Sequence, residues 1–385
     1  MVARIAVVHS SLKRSLGGAE KLCLETINAL KESGHQVDLI TTGKMDQKKI
    51  KETFDIFVEV EKEVIAPSVI PLNTLYSRFI NWFFRDVIAV SHLKKSYDLT
   101  ITTQPYVPLT FSDVIYMNDL MDFPKTLDLH YSKYKRGFWK FYRIPYETLI
   151  NIFVKVFNSL NSKPIVLTNS NFTKQQIIKY LNVKPFVVYP PVDLENYLPL
   201  SRNENRKNIV LTISRIEEGK GLDFIPYVAA RTENARFVII GSLASQQYLL
   251  YLRHIIKSLG VEDRIEIIPN ANRNVKENLL STAKIYLHPR KYEYFGIAVV
   301  EAMAAGLIPL VHKSGAPWID ILNQEERVYG YPYEDIVSCA NYVTEIIENY
   351  PKLRKEIVRN AAERSKLFSS EIFRKNIRSI IQKLL

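Results

Sequence analysis

Two glutamates eight residues apart, Glu293 and Glu301, lie within the stretch Lys291 to Pro317, KYEYFGIAVVEAMAAGLIPLVHKSGAP. Carboxylates accept hydrogen bonds from hydroxyl groups, so such a pair can hold the polyol face of a sugar. In a chain that is 24% charged the spacing alone carries little, and the residues between give it meaning. Tyr294-Phe295-Gly296 reads as a turn, Ile297 to Ala305 as continuous helix, Gly306 as its C-cap and Leu307 to Val311 as a buried strand. A helix start beside a carboxylate joins anion-attracting backbone N–H groups to a hydroxyl acceptor.

A second group is Ser214-Arg215-Ile216-Glu217-Glu218-Gly219-Lys220-Gly221. Here a strand ends, two cations follow five residues apart, and a helix begins. Arg215 can grip two phosphate oxygens at once, and Lys220 adds a point charge. Together they suit a diphosphate, although the same pair on a surface turn would simply be solvated. A third group, Gly17-Gly18-Ala19-Glu20, follows the first strand candidate and opens a helix over Glu20–Lys31. It is not the G-x-G-x-x-G dinucleotide fingerprint, and no acidic residue closes a clear second strand, so hydride transfer is disfavoured. The chain has only thirteen glycines, and eight of them (Gly17, Gly18, Gly219, Gly221, Gly241, Gly296, Gly306 and Gly315) fall at these junctions. Singly they would be turns; gathered, they mark places where backbone approaches a ligand.

The elements that must position these groups alternate between short apolar strands and helices, which predicts parallel sheets covered by helices. In the first half the strand candidates are Ile5–His9, Val37–Thr42, Phe54–Val60, Asp98–Thr103, Asp113–Met117, Pro164–Thr168 and Phe186–Tyr189. In the second they are Ile209–Ser214, Arg236–Gly241, Arg264–Pro269, Lys284–His288 and Leu307–Val311. Both halves read as Rossmann-like. At 385 residues the chain suits two domains. Tyr189-Pro190-Pro191-Val192-Asp193 and the polar SRNENRKN (201–208) read as the linker, giving domains over 1–195 and 205–369. A helix pair over about 335–367 and an amphipathic helix over 370–385 complete the chain.

The segment from Glu293 to Glu301 resembles the glutamate-x7-glutamate signature of retaining nucleotide-sugar glycosyltransferases with the GT-B fold, of the family 4 type. YFGIAVVEAMAAG, HKSGAPWIDIL (312–322), IIPNANRNVKENLLSTAKIYLHP (267–289) and LTISRIEEGKGLDF (211–224) are most similar to mannosyltransferases that extend lipid-linked oligosaccharides for N-glycosylation. VLTNSNFTKQQI (166–177) and VVYPPVD (187–193) resemble family segments too, although Ser170 and Asn171 are explained as a helix cap alone. The resemblance implies two Rossmann-like domains facing each other across a cleft, the first binding acceptor and the second the donor, with the last helix crossing back to the first. It implies that Glu293 holds donor-sugar hydroxyls and Glu301 ribose hydroxyls. Ser214, Arg215 and Lys220 would meet the diphosphate, the backbone of Tyr294, Phe295, Gly296 and Ile297 would line the donor, and Gly17 and Gly18 would face its phosphates. Transfer would run on one face of the sugar, the leaving phosphate taking the acceptor proton, while the enzyme positions and stabilises charge.

The resemblance also implies the ligands: GDP-mannose as donor and a polyprenyl (dolichol)-linked glycan as acceptor, with a UDP-sugar and another lipid or soluble acceptor as the alternative. The chain has no D-x-D triplet, so no essential metal or other cofactor is expected. Related mannosyltransferases carry a histidine where Asn118 stands here. Asn118 can hydrogen-bond a sugar but cannot carry charge, and the other candidate for that place is His130. His288 reads equally as a satisfied strand-end histidine or a donor contact.

A formal net charge of +12 admits nucleic acid, an anionic membrane or a phosphate-rich substrate. YSKYKRGFWKFYR (131–143) mixes Lys135, Arg136 and Lys140 with Trp139 and other aromatics and holds no acid, and LYSRFINWFFR (75–85) sets Arg78, Trp82 and Phe83 at helical spacing. Basic residues among large rings suit a headgroup interface, the other reading being a core-facing aromatic stripe with a solvated back. A nucleic-acid binder lacks a recognisable module, and an inactive scaffold would not need Arg215, Lys220, Glu293 and Glu301 together. No long uncharged apolar run or signal peptide is evident, and Cys23 and Cys339 are far apart, so the expectation is a cytoplasmic protein bound peripherally to a membrane face.

Overall fold

A computed structural model describes residues 2–13, 16–66, 74–106, 111–120, 123 and 137–385. The chain divides into two compact units, 1–191 with 370–385 and 192–369. In the first, seven parallel strands are ordered β3-β2-β1-β4-β5-β6-β7. These are β1 (Arg4–Val8), β2 (Gln36–Thr41), β3 (Lys62–Ile65), β4 (Leu99–Thr102), β5 (Val114–Met117), β6 (Ile165–Thr168) and β7 (Phe186–Val187). Their continuous apolar runs fit burial on both faces: Ile5 to Val8 are all fully buried.

The helix Ser370–Ile381 belongs to this first unit. Its stripe Phe373, Ile377 and Ile381 enters the core with Leu22, Val114 and Leu167. Burying each such side chain stabilises by about 1.5–3 kcal/mol. Arg374 fixes the register with a 2.7 Å ion pair to the buried Glu25 of helix Gly18–Glu32.

In the second unit six parallel strands are ordered β10-β9-β8-β11-β12-β13. These are β8 (Lys207–Ile213), β9 (Arg236–Gly241), β10 (Ile265–Pro269), β11 (Ala283–His288), β12 (Ile308–His312) and β13 (Tyr331–Tyr333). Its core combines Val210, Ile239, Ile285 and Leu310 with Leu252 and Val343 from the covering helices. In both units a strand-order reversal beside the first strand creates a crevice at the strands' carboxyl ends, where open α/β sheets bind ligands.

Two expectations are corrected and one strand is added. Phe54–Val60 is not a strand: Phe54 ends the helix Gln47–Phe54, Asp55 turns left-handed at φ 58°, and pairing with β2 starts only at Lys62. The added strand is β13 at the sheet edge, which the sequence pattern does not show because Pro332 sits inside it, a position only an edge tolerates. The polar stretch 201–208 is not a free linker. Arg206 is 8% exposed and donates to the carbonyls of Leu280, Ala283, Leu200 and Ala305, pinning that stretch into the second unit.

Candidate functional site

In the second unit the end of β8 is packed so tightly on the end of β9 that Gly241 cannot be replaced. A Cβ there would lie 1.8 Å from the Ser214 carbonyl oxygen. Gly221, at φ 71°, lets the Lys220 loop pass under the exit of β11, where a Cβ would meet the Pro289 carbonyl at 2.8 Å. Gly315 lies against Glu293 in the same way, and the Ala316 amide donates to the Glu293 carbonyl at 2.8 Å. Three close backbone approaches thus bring Ser214–Gly221, Pro289–Phe295 and Gly315–Ala316 to one place.

The Glu293 side chain is only 15% exposed and 3.0 Å from Arg290 Nη1. The Tyr294 amide donates to its Oε1 at 3.0 Å, and His288 Nε2 lies 3.7 Å from its Oε2. Burial alone would raise this carboxyl's pKa; Arg290, His288 and Lys220 outweigh it and hold the group well below the ordinary range, so it is ionised at neutral pH. Lys220 is shifted down by burial and by the cations Arg290 and Arg215, with Glu293 opposing. Arg215 is more than half exposed and 3.1 Å from Glu217. Arg290 and Lys220 therefore set positive charge against one buried carboxylate, with Arg215 near Lys220 and itself paired with Glu217, an arrangement that can receive a diphosphate.

The helix Ile297–Ala304 begins beside Glu293, with Gly296 at φ 101° as its N-cap and no capping side chain. Its first amides are donors for an anionic or hydroxylated ligand. Tyr294 and Phe295 are 5% and 4% exposed, Phe295 packing edge-on against Phe368, so both can offer a ligand backbone rather than rings.

Glu301 has a different environment. Its Oε2 is 2.8 Å from Lys276 Nζ, its Oε1 accepts from the Tyr197 hydroxyl at 3.0 Å, and Lys276 also donates to that hydroxyl at 3.0 Å. Burial and the neighbouring Glu301 push the Tyr197 phenol up to about 12. Arg290, Lys276 and Tyr197 were not singled out in the sequence. Arg290 had a local signal, lying three residues before Glu293; Tyr197 reaches Glu301 across 104 residues and had none.

In the first unit Gly17 caps the helix Gly18–Glu32 and its amide donates to Glu20 Oε2 at 2.8 Å. Its φ of −146° is open to any residue. Glu20 lies 3.8 Å from Nε2 of the buried His9, whose Nδ1 meets Thr103 Oγ1 at 2.9 Å. Although burial opposes it, contact with Cys23 and Glu20 raises His9 to about 9. Asn118 donates to the Thr103 carbonyl and lines a cavity of about 330 Å³ with Ser10, Arg78, Trp82, Gln104 and Tyr106.

Trp82 is therefore not a docking residue: it is 2% exposed, packed on Phe79 and Phe153 at 5.3 and 5.7 Å. Arg78 belongs to the Asn118 cavity, and Phe83 is half-buried. Trp139 and Lys140 are exposed on the helix Phe138–Ser159, where Phe138, Phe141, Ile144 and Ile152 are exposed too. His130, Lys135 and Arg136 lie outside the described residues. Among the described residues no group of three or more His, Cys, Asp or Glu side chains is gathered to hold a metal ion, and no helix is long and apolar enough to cross a membrane.

Two parallel α/β units, one holding a carboxylate and cations at a helix start, are the build of a GT-B glycosyltransferase. The chain belongs to the glycosyltransferases: residues 16–196 match the model "Glycosyltransferase Family 4" and residues 196–364 match "Glycosyl transferases group 1". It is a GT-B glycosyltransferase that uses a nucleotide-sugar donor. It is 26% identical over 428 residues to GDP-Man:Man(3)GlcNAc(2)-PP-Dol alpha-1,2-mannosyltransferase of Dictyostelium discoideum, with 96% of this chain and 83% of that one covered. The enzyme of the same description from Mus musculus is 29% identical, covering 57% of this chain and only 49% of its own length. Among solved structures, a glycosyltransferase from Rickettsia africae ESF-5 matches with a TM-score of 0.69 at 17% identity, covering 100% of this chain and 98% of that one.

Proposed function

We propose that this chain transfers mannose from GDP-mannose to a polyprenyl-linked glycan, with retention of configuration, at a membrane surface. The observation that carries the reading is the ionised Glu293 held by Arg290 beside Lys220 at the start of the helix Ile297–Ala304. Glu293 would accept hydrogen bonds from donor-sugar hydroxyls. Lys220 and Arg215 would neutralise the charge that grows on the departing diphosphate, aided by the Gly296 and Ile297 amides. Ser214 would line the donor beside them. Glu301, oriented by Lys276 and Tyr197, would meet the ribose hydroxyls. The Asn118 cavity of the first unit would serve the acceptor, and no cofactor beyond the donor is invoked. The choice of mannose and of a lipid-linked acceptor is supported by the descriptions of the curated relatives.

Thermal stabilisation by GDP and by UDP, side by side, tests the donor. A ligand at 100 times its dissociation constant stabilises by about 2.7 kcal/mol, a shift easily read. A response to GDP that GDP-mannose shares, lost in Lys220→Ala, is expected. A response to UDP alone would discard mannose as the donor sugar while keeping the phosphate site.

A further inference from the structure

The second unit carries a second cationic site, built from residues that the donor site does not use. The 3-10 turn Leu198–Arg202 and the helical segment 350–366 border a cavity of about 750 Å³. That volume lies within the range of small-molecule sites, about 300–1,000 Å³. Five cations line it, Arg202, Arg354, Lys355, Arg359 and Lys366, against two carboxylates, Glu204 and Glu363.

The pairing is incomplete. Lys366 is 2.6 Å from Glu363 and Arg354 is 3.5 Å from Glu204. Among the described residues, Arg202, Lys355 and Arg359 have no carboxylate within ion-pair distance. Lys355 and Arg359 are four apart on one helical face, a like-charge spacing that costs a few tenths of a kcal/mol unless an anion joins it. The helix is also distorted there, Arg354–Val358 being a π-helical turn, a feature often found at functional sites.

An independent observation concerns Tyr350, which lines the same cavity and is 4% exposed. Its hydroxyl is buried without a hydrogen-bond partner, as is Nε of Arg354. Burial raises the phenol's pKa despite Arg206 and Arg354, so it stays protonated and can donate. Behind a cavity wall with surplus positive charge, Tyr350 and Arg354 thus each carry an unsatisfied polar atom, which marks this wall as one built under electrostatic demand. Arg354 is held in place by Nη2, which donates to the carbonyls of Ser201 and Asn203 at 3.1 and 3.0 Å. Leu198, Pro351, Val358 and Ala362 supply an apolar wall.

We infer that this cavity binds a phosphate ester with an apolar body, the phosphate meeting Arg202, Lys355 and Arg359. Guanidinium forks and an ammonium group are the side chains that bind phosphate best. The inference does not rest on the identity of the donor or acceptor sugar. Two sources share this chemistry, a free phosphorylated metabolite and an acidic phospholipid headgroup, and the test separates them.

Inorganic pyrophosphate is titrated calorimetrically into the full chain, into Lys220→Ala and into Arg202→Ala/Lys355→Ala/Arg359→Ala. The same proteins are sedimented with phosphatidylcholine vesicles with and without phosphatidic acid. Pyrophosphate binding that survives Lys220→Ala and weakens by about tenfold or more in the triple variant supports a free phosphate ester. Vesicle binding that needs phosphatidic acid and falls in the triple variant supports a headgroup. A triple variant that matches the wild type in both arms, or pyrophosphate binding lost wholly in Lys220→Ala with no vesicle effect, overturns the inference.

Discussion

Arg290 and Glu293, three residues apart in the loop after β11, form an ion pair at 3.0 Å with both side chains largely buried. Removing the guanidinium strands the carboxylate where burial favours its protonated form. Arg290→Ala should therefore destabilise by about 3–5 kcal/mol, the usual cost of breaking a buried pair. The pH dependence has a definite sign. A carboxyl depressed in the folded state contributes stability above its unfolded pKa of about 4.3 and loses it as pH falls through the lower folded value. In Arg290→Ala the folded value rises toward the unfolded one, so this carboxyl contributes less at pH 7 and less is lost on acidification, and the stability gap between the two proteins should narrow as pH falls below about 4.3. Urea unfolding of both proteins between pH 7 and 3 reads it, and a gap that stays constant over that range would contradict the pairing.

Glu293→Gln keeps the shape and removes the charge. Transfer should fall on the order of 100-fold in kcat/KM, the scale of losing one preorganised electrostatic contact, and stability should fall as well because Arg290 is left buried without its counter-ion, so transfer is compared at a temperature where both proteins are folded. Near-normal transfer by a folded Glu293→Gln enzyme would remove Glu293 from the reaction.

Gly241 and Gly17 make a matched contrast. At Gly241 a methyl group would collide with the Ser214 carbonyl at 1.8 Å, so Gly241→Ala should unfold or rearrange the second unit, at a cost of about 3 kcal/mol or more. At Gly17 the backbone is extended and the nearest atom is Glu20 Oε2 at 3.4 Å, so Gly17→Ala should change stability by about 0.5 kcal/mol or less. Loss of transfer in a fully stable Gly17→Ala protein would then report crowding of a ligand. Circular dichroism melts and transfer rates on the two variants decide both points.

The parallel α/β units were legible because their strands are unbroken apolar runs between helical periods, and Glu293, Lys220 and Gly296 because they lie in one or two short motifs. What local pattern cannot show is which distant side chain completes a site. Lys276 sits 25 residues before Glu301 and Tyr197 104 residues before it, so only the fold brings them together. Trp82 illustrates the other limit: a helical stripe of aromatics has the same period whether it meets a core or a membrane, and here Phe153 covers it. Pro332 hid an edge strand because proline argues against a strand anywhere but at an edge.

The Lys276–Glu301–Tyr197 group makes a prediction of coupling. Lys276 is raised in pKa against its burial by Glu301 and Tyr197, which means the charged form is favoured by its neighbours. Lys276→Ala and Glu301→Ala measured singly and together should show an interaction energy of about 1–3 kcal/mol in urea unfolding. Additive effects would mean the 2.8 Å contact contributes nothing.

The helix Phe138–Ser159 buries Tyr146, Ile150 and Phe157 and leaves Phe138, Trp139, Phe141 and Ile144 exposed. An amphipathic helix that buries one stripe and shows large rings on another has apolar surface for a second environment, and Lys140 adds the charge that an anionic headgroup region attracts. Replacing Phe138, Trp139 and Phe141 with Ser removes that surface without touching the buried stripe, so the melting temperature should hold while binding to vesicles containing phosphatidylglycerol falls by about tenfold or more. Lys140→Ala should cost about 1 kcal/mol of vesicle binding, and less as salt rises. If the triple Ser variant binds the vesicles as the wild type does, the helix Phe138–Ser159 is not a membrane-docking surface.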